Sequence, residues 1–189
     1  MEPLESQLIE NGKLLVAEPS IIGDTSFNRA VILLSEHTEE GTIGFVLNKP
    51  TELNLNDLIP EIDREIPVYS GGPVEQDSLF YIHQMPELIP GSIEIAHGLF
   101  WGGRFDVLQS LLENDLIREN EIKFFLGYSG WEAGQLETEI VNDTWILQRN
   151  GDKKDLINLD SDGCWKEKIE QLGGNYLLWA NAPENPAYN

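Results

Sequence analysis

Two apolar runs, AVILLSE at 30–36 and TIGFVLNKP at 42–50, stand five residues apart across HTEEG, and this spacing constrains the chain more than any other feature. Runs of this length, rich in Val, Ile and Leu, read as strands, and a loop of five residues that ends in glycine joins them as an antiparallel hairpin. Gly41 is placed to supply a positive φ at the turn. Gly44, inside the second run, predicts a bulge or a close backbone contact. Asn48-Lys49-Pro50 reads as a strand ending, where Asn bonds locally and Pro blocks further pairing.

Strands also surround the hairpin. GKLLVAEP is a first strand stopped by Pro19, and Asp24, Thr25 and Ser26 are turn or cap residues before the run that starts at Ala30. IPVYSGGPV and SLFYIHQM flank a Gly71-Gly72-Pro73 turn, and GSIEIAHGLFWGG alternates Ile93, Ile95 and His97 as one more strand. TWILQRN is a late strand.

Helical spacing is rarer. TELNLNDLIPEID suggests a short helix ended by Pro60, and Phe105, Leu108, Leu111, Leu112 and Leu116 form an amphipathic stripe. EIKFFLGYSGW predicts a strand running into a glycine turn, and EAGQLETEIVND a helix after it, with Leu136 and Ile140 on one face. CWKEKIEQLGG reads as a helix that Ser161 or Asp162 could cap and Gly173 could end, and NYLLWANAPENPAYN as irregular. Strands and helices intermix without strict alternation, so the expected class is α+β. At 189 residues with no linker or repeat, one domain over 1–189 is expected.

Charge narrows the function classes. With 12 basic and 33 acidic residues the formal net charge is -21, which opposes close approach to a phosphate backbone. Lys153-Lys154 is the one adjacent basic pair, flanked by Asp152 and Asp155, and reads as a solvated turn. Cys164 is the sole cysteine, so no internal disulfide forms; with no basic leader and no apolar run long enough to span a membrane, a cytoplasmic location is expected.

Four stretches in order, SFNRAVILLSEHTEEGTIGFVLNKP, SGGPVEQDSLFYIH, GLFWGGRFDVL and FFLGYSGWEAGQLETEI, resemble the YqgE/AlgH family of small bacterial proteins over nearly the whole chain. The matching residues include Arg29, Glu36, His37, Gly41, Gly44, Asn48, Lys49, Pro50, Gly71, Gly72, Pro73, Gly127, Tyr128, Gly130, Trp131, Gly134, Gln135, Leu136 and Glu139. The resemblance implies an α+β domain whose mixed, largely antiparallel sheet partly closes into a barrel surrounded by helices. Some members carry the label of transcriptional regulator, and no reaction comes with it. The family pattern has a small apolar residue where this chain has Ser129, which counts against a mechanism that needs that serine.

The chemistry weighed residue by residue stays modest. GYSGW lacks the second glycine that a hydrolase elbow needs, since position 131 is tryptophan. An anion site at the helix after the glycine turn competes with Glu132 and with a purely structural turn. Three scattered histidines, His37, His83 and His97, and one cysteine give no zinc motif, and no cofactor is expected. His37 has either a functional role, with Glu39 or Glu40 approaching it across the turn, or a structural one at the hairpin end. Cys164 reads as a packing residue. The leading expectation is a binding or regulatory protein that works through a protein or small-molecule partner, with Arg29, Glu36, His37, Asn48, Lys49, Tyr128, Trp131 and Gln135 as candidate binding residues. The alternative is an enzyme using a polar pocket near His37 and the Gly127–Gln135 turn.

Overall fold

A computed structural model describes residues 8–21, 23–148, 156–159 and 161–182. The predicted hairpin is present as β2 (Val31–Thr38) and β3 (Gly41–Val46), but its loop is shorter than the spacing suggests, because β2 continues through His37 and Thr38. A bulge between Leu34 and Glu36 absorbs the odd residue. Gly44 sits opposite Leu34, and a side chain there would lie 2.8 Å from both the Leu33 carbonyl oxygen and Ile32 Cγ2. Close contact is therefore what this position requires.

From the hairpin the sheet grows in both directions. The main path runs β10 (Trp145–Gln148), β1 (Leu14–Ala17), β2, β3, β9 (Ile122–Glu132), β6 (Val74–His83), β8 (Leu99–Trp101), β7 (Ile93–Ala96), with every pairing along it antiparallel. β5 (Pro67–Ser70) lies parallel to β9 and pairs also with β4 (Pro50–Asn54). β9 is the axis, because its C-terminal half pairs with β3 while its N-terminal half pairs with β5. The expected barrel is not formed. Closure requires the outer strands to pair, and among the described residues β10 and β7 instead remain edges bonded to β1 and β8 alone. Both edges are four residues long, which limits the unpaired backbone they present.

The sheet is covered on both faces, and neighbouring residues of one strand belong to different cores. Phe125 joins the cluster of Leu14, Leu33, Phe45, Trp131 and Trp165, whereas Phe124 joins Leu55, Ile62, Tyr81, Leu108 and Leu112. That is why FFL reads as an unbroken apolar run and not as an alternation. Helix α2 (Phe105–Glu113) buries Leu108 and Leu112 in the second cluster. Leu116 is exposed, because the helix stops before Asp115, which takes a φ of 54°.

Several expectations need correction. GYSGW is not a turn: β9 runs through it to Glu132, and the chain turns at Ala133-Gly134 before α3 (Gln135–Val141). GSIEIAHGLFWGG is two strands joined at His97-Gly98, whose φ values of 36° and 83° are those of a tight two-residue hairpin. TELNLN is mostly β4, with α1 (Leu55–Leu58) a single turn after it. The predicted irregular tail contains α5 (Tyr176–Ala180), which packs with α4 (Cys164–Leu172). Arg149, Asn150 and the Lys153-Lys154 pair lie outside the described residues.

Candidate functional site

The hairpin and the GYSGW segment lie side by side, with Thr42 opposite Trp131 and Gly44 opposite Ser129. The two motifs therefore form one seam, yet most of its polar groups are already engaged. Asn48 is a structural clamp: its Oδ1 accepts the Val31 N–H at 2.8 Å and its Nδ2 donates to the Arg29 carbonyl at 2.9 Å. Arg29 places its guanidinium over the Trp165 ring, 4.9 Å from the centroid, and donates to the Ala182 carbonyl, which ties the last helices to the sheet. Lys49 is half-buried, and its carbonyl accepts from the Ser70 amide.

A carboxylate organises the other end of the seam. Glu139 Oε2 accepts the indole N–H of Trp131 at 2.8 Å and of Trp145 at 2.7 Å, while its Oε1 accepts from Gln135 Nε2 at 2.9 Å. Gln135 Oε1 in turn accepts the Glu132 amide. Trp131 and Gln135 are thus members of a brace between α3, β9 and β10. His37 Nδ1 lies 2.7 Å from Thr42 Oγ1, and its Nε2 lies 3.9 Å from Glu137, so the approaching carboxylate comes from α3 and not from Glu39 or Glu40.

What stays open beside the seam is a concavity of about 420 Å³, bordered by Glu36, Glu40, Glu132 and Tyr128. Of the eight predicted binding residues, Glu36, Tyr128 and Trp131 line it. Among the described residues no cluster of three His, Cys, Asp or Glu side chains is arranged to hold a metal ion.

Neither Ser129 nor Ser92 is arranged as a nucleophile. Ser129 is fully buried in mid-strand, and its hydroxyl donates to the Gly71 carbonyl at 3.1 Å. Ser92 Oγ does lie 3.0 Å from His83 Nε2, but the Met85 amide donates to His83 Nδ1 at 3.0 Å, which places the ring proton on Nε2. The Nε2 proton faces the Gly102 carbonyl at 3.1 Å, and the serine donates its own proton to the Ile89 carbonyl. The imidazole offers Ser92 no base. Burial lowers the His83 pKa below its ordinary value, partly offset by the bond to Gly102, so the ring is neutral at pH 7.

A larger cavity opens elsewhere. About 570 Å³ is bordered by Leu58 and Ile59 after β4, Asp77, Leu79, Phe80 and Tyr81 on β6, Trp101 at the end of β8 with Gly102 and Gly103 after it, Phe105 on α2 and Leu126 on β9. Its wall is aliphatic and aromatic. The Tyr81 hydroxyl donates to the Gly103 carbonyl at 2.9 Å, and burial with the nearby Asp106 charge pushes its pKa up to about 12, so it stays protonated. Trp101 Nε1 has no hydrogen-bond partner among the described residues. None of the site residues expected from the sequence lies in this cavity; the available signal was the dense aromatic string SLFYIH and LFWGGRF.

The comparisons agree with the motif resemblance. A solution structure of the AlgH protein from Pseudomonas aeruginosa shares 29% identity with this chain and superposes with a TM-score of 0.71 over 97% of both chains. A crystal structure of a Corynebacterium diphtheriae protein shares the fold at a TM-score of 0.75, with 22% identity over 93% of each chain. A UPF0301 protein of Bacteroides fragilis is 43% identical over 94% of this chain and 90% of its own, and one of Chlorobaculum tepidum 38% over 98% of both. With the AlgH-like family model matching residues 14–177, the chain belongs to the AlgH-like family.

Proposed function

We propose that this protein is a small-molecule-binding module with a regulatory role, and that its ligand is an uncharged or cationic compound with an aromatic or aliphatic body. The observation that carries this reading is the apolar, aromatic-walled cavity of about 570 Å³ between α1, α2, β6 and β8. Concave apolar sites of roughly 300–1,000 Å³ with few polar groups are the usual form of a small-molecule site. Among the described residues Asp77 is the one carboxylate on its wall, and the formal net charge of -21 disfavours an anionic ligand. The same charge supports regulation through a ligand or a protein over direct contact with DNA.

The enzyme alternative near His37 has less support, because Asn48, Trp131 and Gln135 are held in structural hydrogen bonds. Nile red, an uncharged fluorophore, tests the proposal. The folded protein should enhance its emission saturably at one site, and Leu58→Asp, at the cavity rim, should weaken that binding while folding is preserved. Absence of saturable enhancement, or enhancement insensitive to Leu58→Asp, would count against the site.

A further inference from the structure

Lys123 interrupts the apolar run of β9. Its residue is 3% exposed, among strand positions where a leucine or methionine would serve the packing. Its Nζ stands 3.8 Å from the Tyr69 ring centroid, and its one hydrogen-bond acceptor among the described residues is the Ile157 carbonyl at a long 3.5 Å. No described carboxylate forms an ion pair with it. Lys123 lines a further cavity, about 320 Å³, together with Tyr69, Ile66, Glu119, Asn120 and Asn158. A buried amine weakly held as an ammonium, on a residue that borders a cavity, has the environment of a carbonyl-trapping lysine.

We infer that Lys123 is a covalent binding residue that takes a small, uncharged aldehyde as an imine in the cavity between β5, β9 and the 156–159 segment. The neutral Nζ adds to the aldehyde carbon to form a carbinolamine. Both amine hydrogens then leave with the carbonyl oxygen as one water, giving the C=N bond with no change of oxidation state. Water restores the amine by the reverse path. Tyr69 and Ile66 offer an apolar wall to the aldehyde's body, Asn120 and Asn158 border the polar part, and Glu119, 3.9 Å from Arg64, leaves the cavity without a further uncompensated cation that would recruit a carboxylate-bearing substrate such as a 2-oxo acid. Burial lowers the Lys123 pKa from 10.5 to about 8, against the opposing influence of Cys164. At pH 7 about one molecule in ten then carries the neutral amine, against about one in a few thousand for an ordinary lysine.

The test is limited reductive alkylation of the full-length folded protein with propanal and cyanoborohydride at pH 7, read by peptide mapping. Lys123 should be alkylated about tenfold or more faster than the exposed Lys166, because the free-amine fraction outweighs the restricted access. Lys123→Met should remove the fast phase and leave the Lys166 rate unchanged. A Lys123 rate at or below that of Lys166 in the folded protein, with equal rates once the chain is unfolded in urea, would overturn the assignment and leave Lys123 a packing residue.

Discussion

The seam between the hairpin and β9 and the cavity beside α2 are opposite uses of similar material. In the seam, Arg29, Asn48, Glu139 and Gln135 each bind a backbone group or an indole of the protein itself. Around the cavity, Phe80, Trp101 and Phe105 leave an apolar concavity open. The denser motif is therefore architecture, since backbone segments that approach this closely need glycines, clamps and caps at fixed places. A small-molecule site of the kind proposed here needs only size and apolarity, which many residue combinations supply.

The sharpest break of this comparison lies at Gly71. An alanine Cβ there would fall 2.2 Å from the Gly127 carbonyl oxygen, a backbone atom that cannot swing away. Gly71→Ala should destabilise the protein by about 3 kcal/mol or more in urea unfolding; a loss below about 1 kcal/mol would mean the seam is less tightly packed than described. Next, Glu139→Ala strands two indole N–H groups and should cost about 2 kcal/mol, with Glu139→Gln, which retains one acceptor, costing less. Equal stability of all three proteins would show that the brace contributes nothing.

On the cavity side, Leu58→Asp should leave the unfolding midpoint nearly unchanged, since Leu58 is already 36% exposed. It should weaken ligand binding by about tenfold, equivalent to about 1.4 kcal/mol. The smallest effect is set by pH. The unfolded chain protonates His83 near its ordinary pKa of 6.5, whereas the folded chain does so only at lower pH. Its contribution is thus complete above pH 6.5 and is lost as pH falls toward the folded pKa, with a slope of at most about 1.4 kcal/mol per unit. His83→Asn should reduce the acid-side loss of stability relative to the parent; identical pH profiles would contradict a neutral buried imidazole.

How much of this was legible in the sequence follows from the same contrast. The strands, the α2 stripe and the α+β class follow from local periodicity, and Gly44 announced its close contact by interrupting a β-branched run. The path of β9 through GYSGW was hidden, because Gly127 looks like a turn residue when it serves close packing against the backbone of Gly72 and Val74. Edge strands that never meet carry no local signal, so the absence of barrel closure was equally invisible. For the site, the motifs pointed to residues that proved to be braces, while the cavity joins Leu58, Tyr81, Trp101 and Leu126, which lie far apart in the chain. Lys123 went unremarked, although a lone cation inside the apolar run of EIKFFL was there to be seen.

The most direct measurement is an amide NMR titration of the isotope-labelled protein with pooled small aromatic and aliphatic metabolites. A binding module with its site beside α2 should show saturable shifts clustered at 77–81, 101–105 and 126. Shifts confined to 36–44 and 128–135 would return the site to the seam and contradict this account.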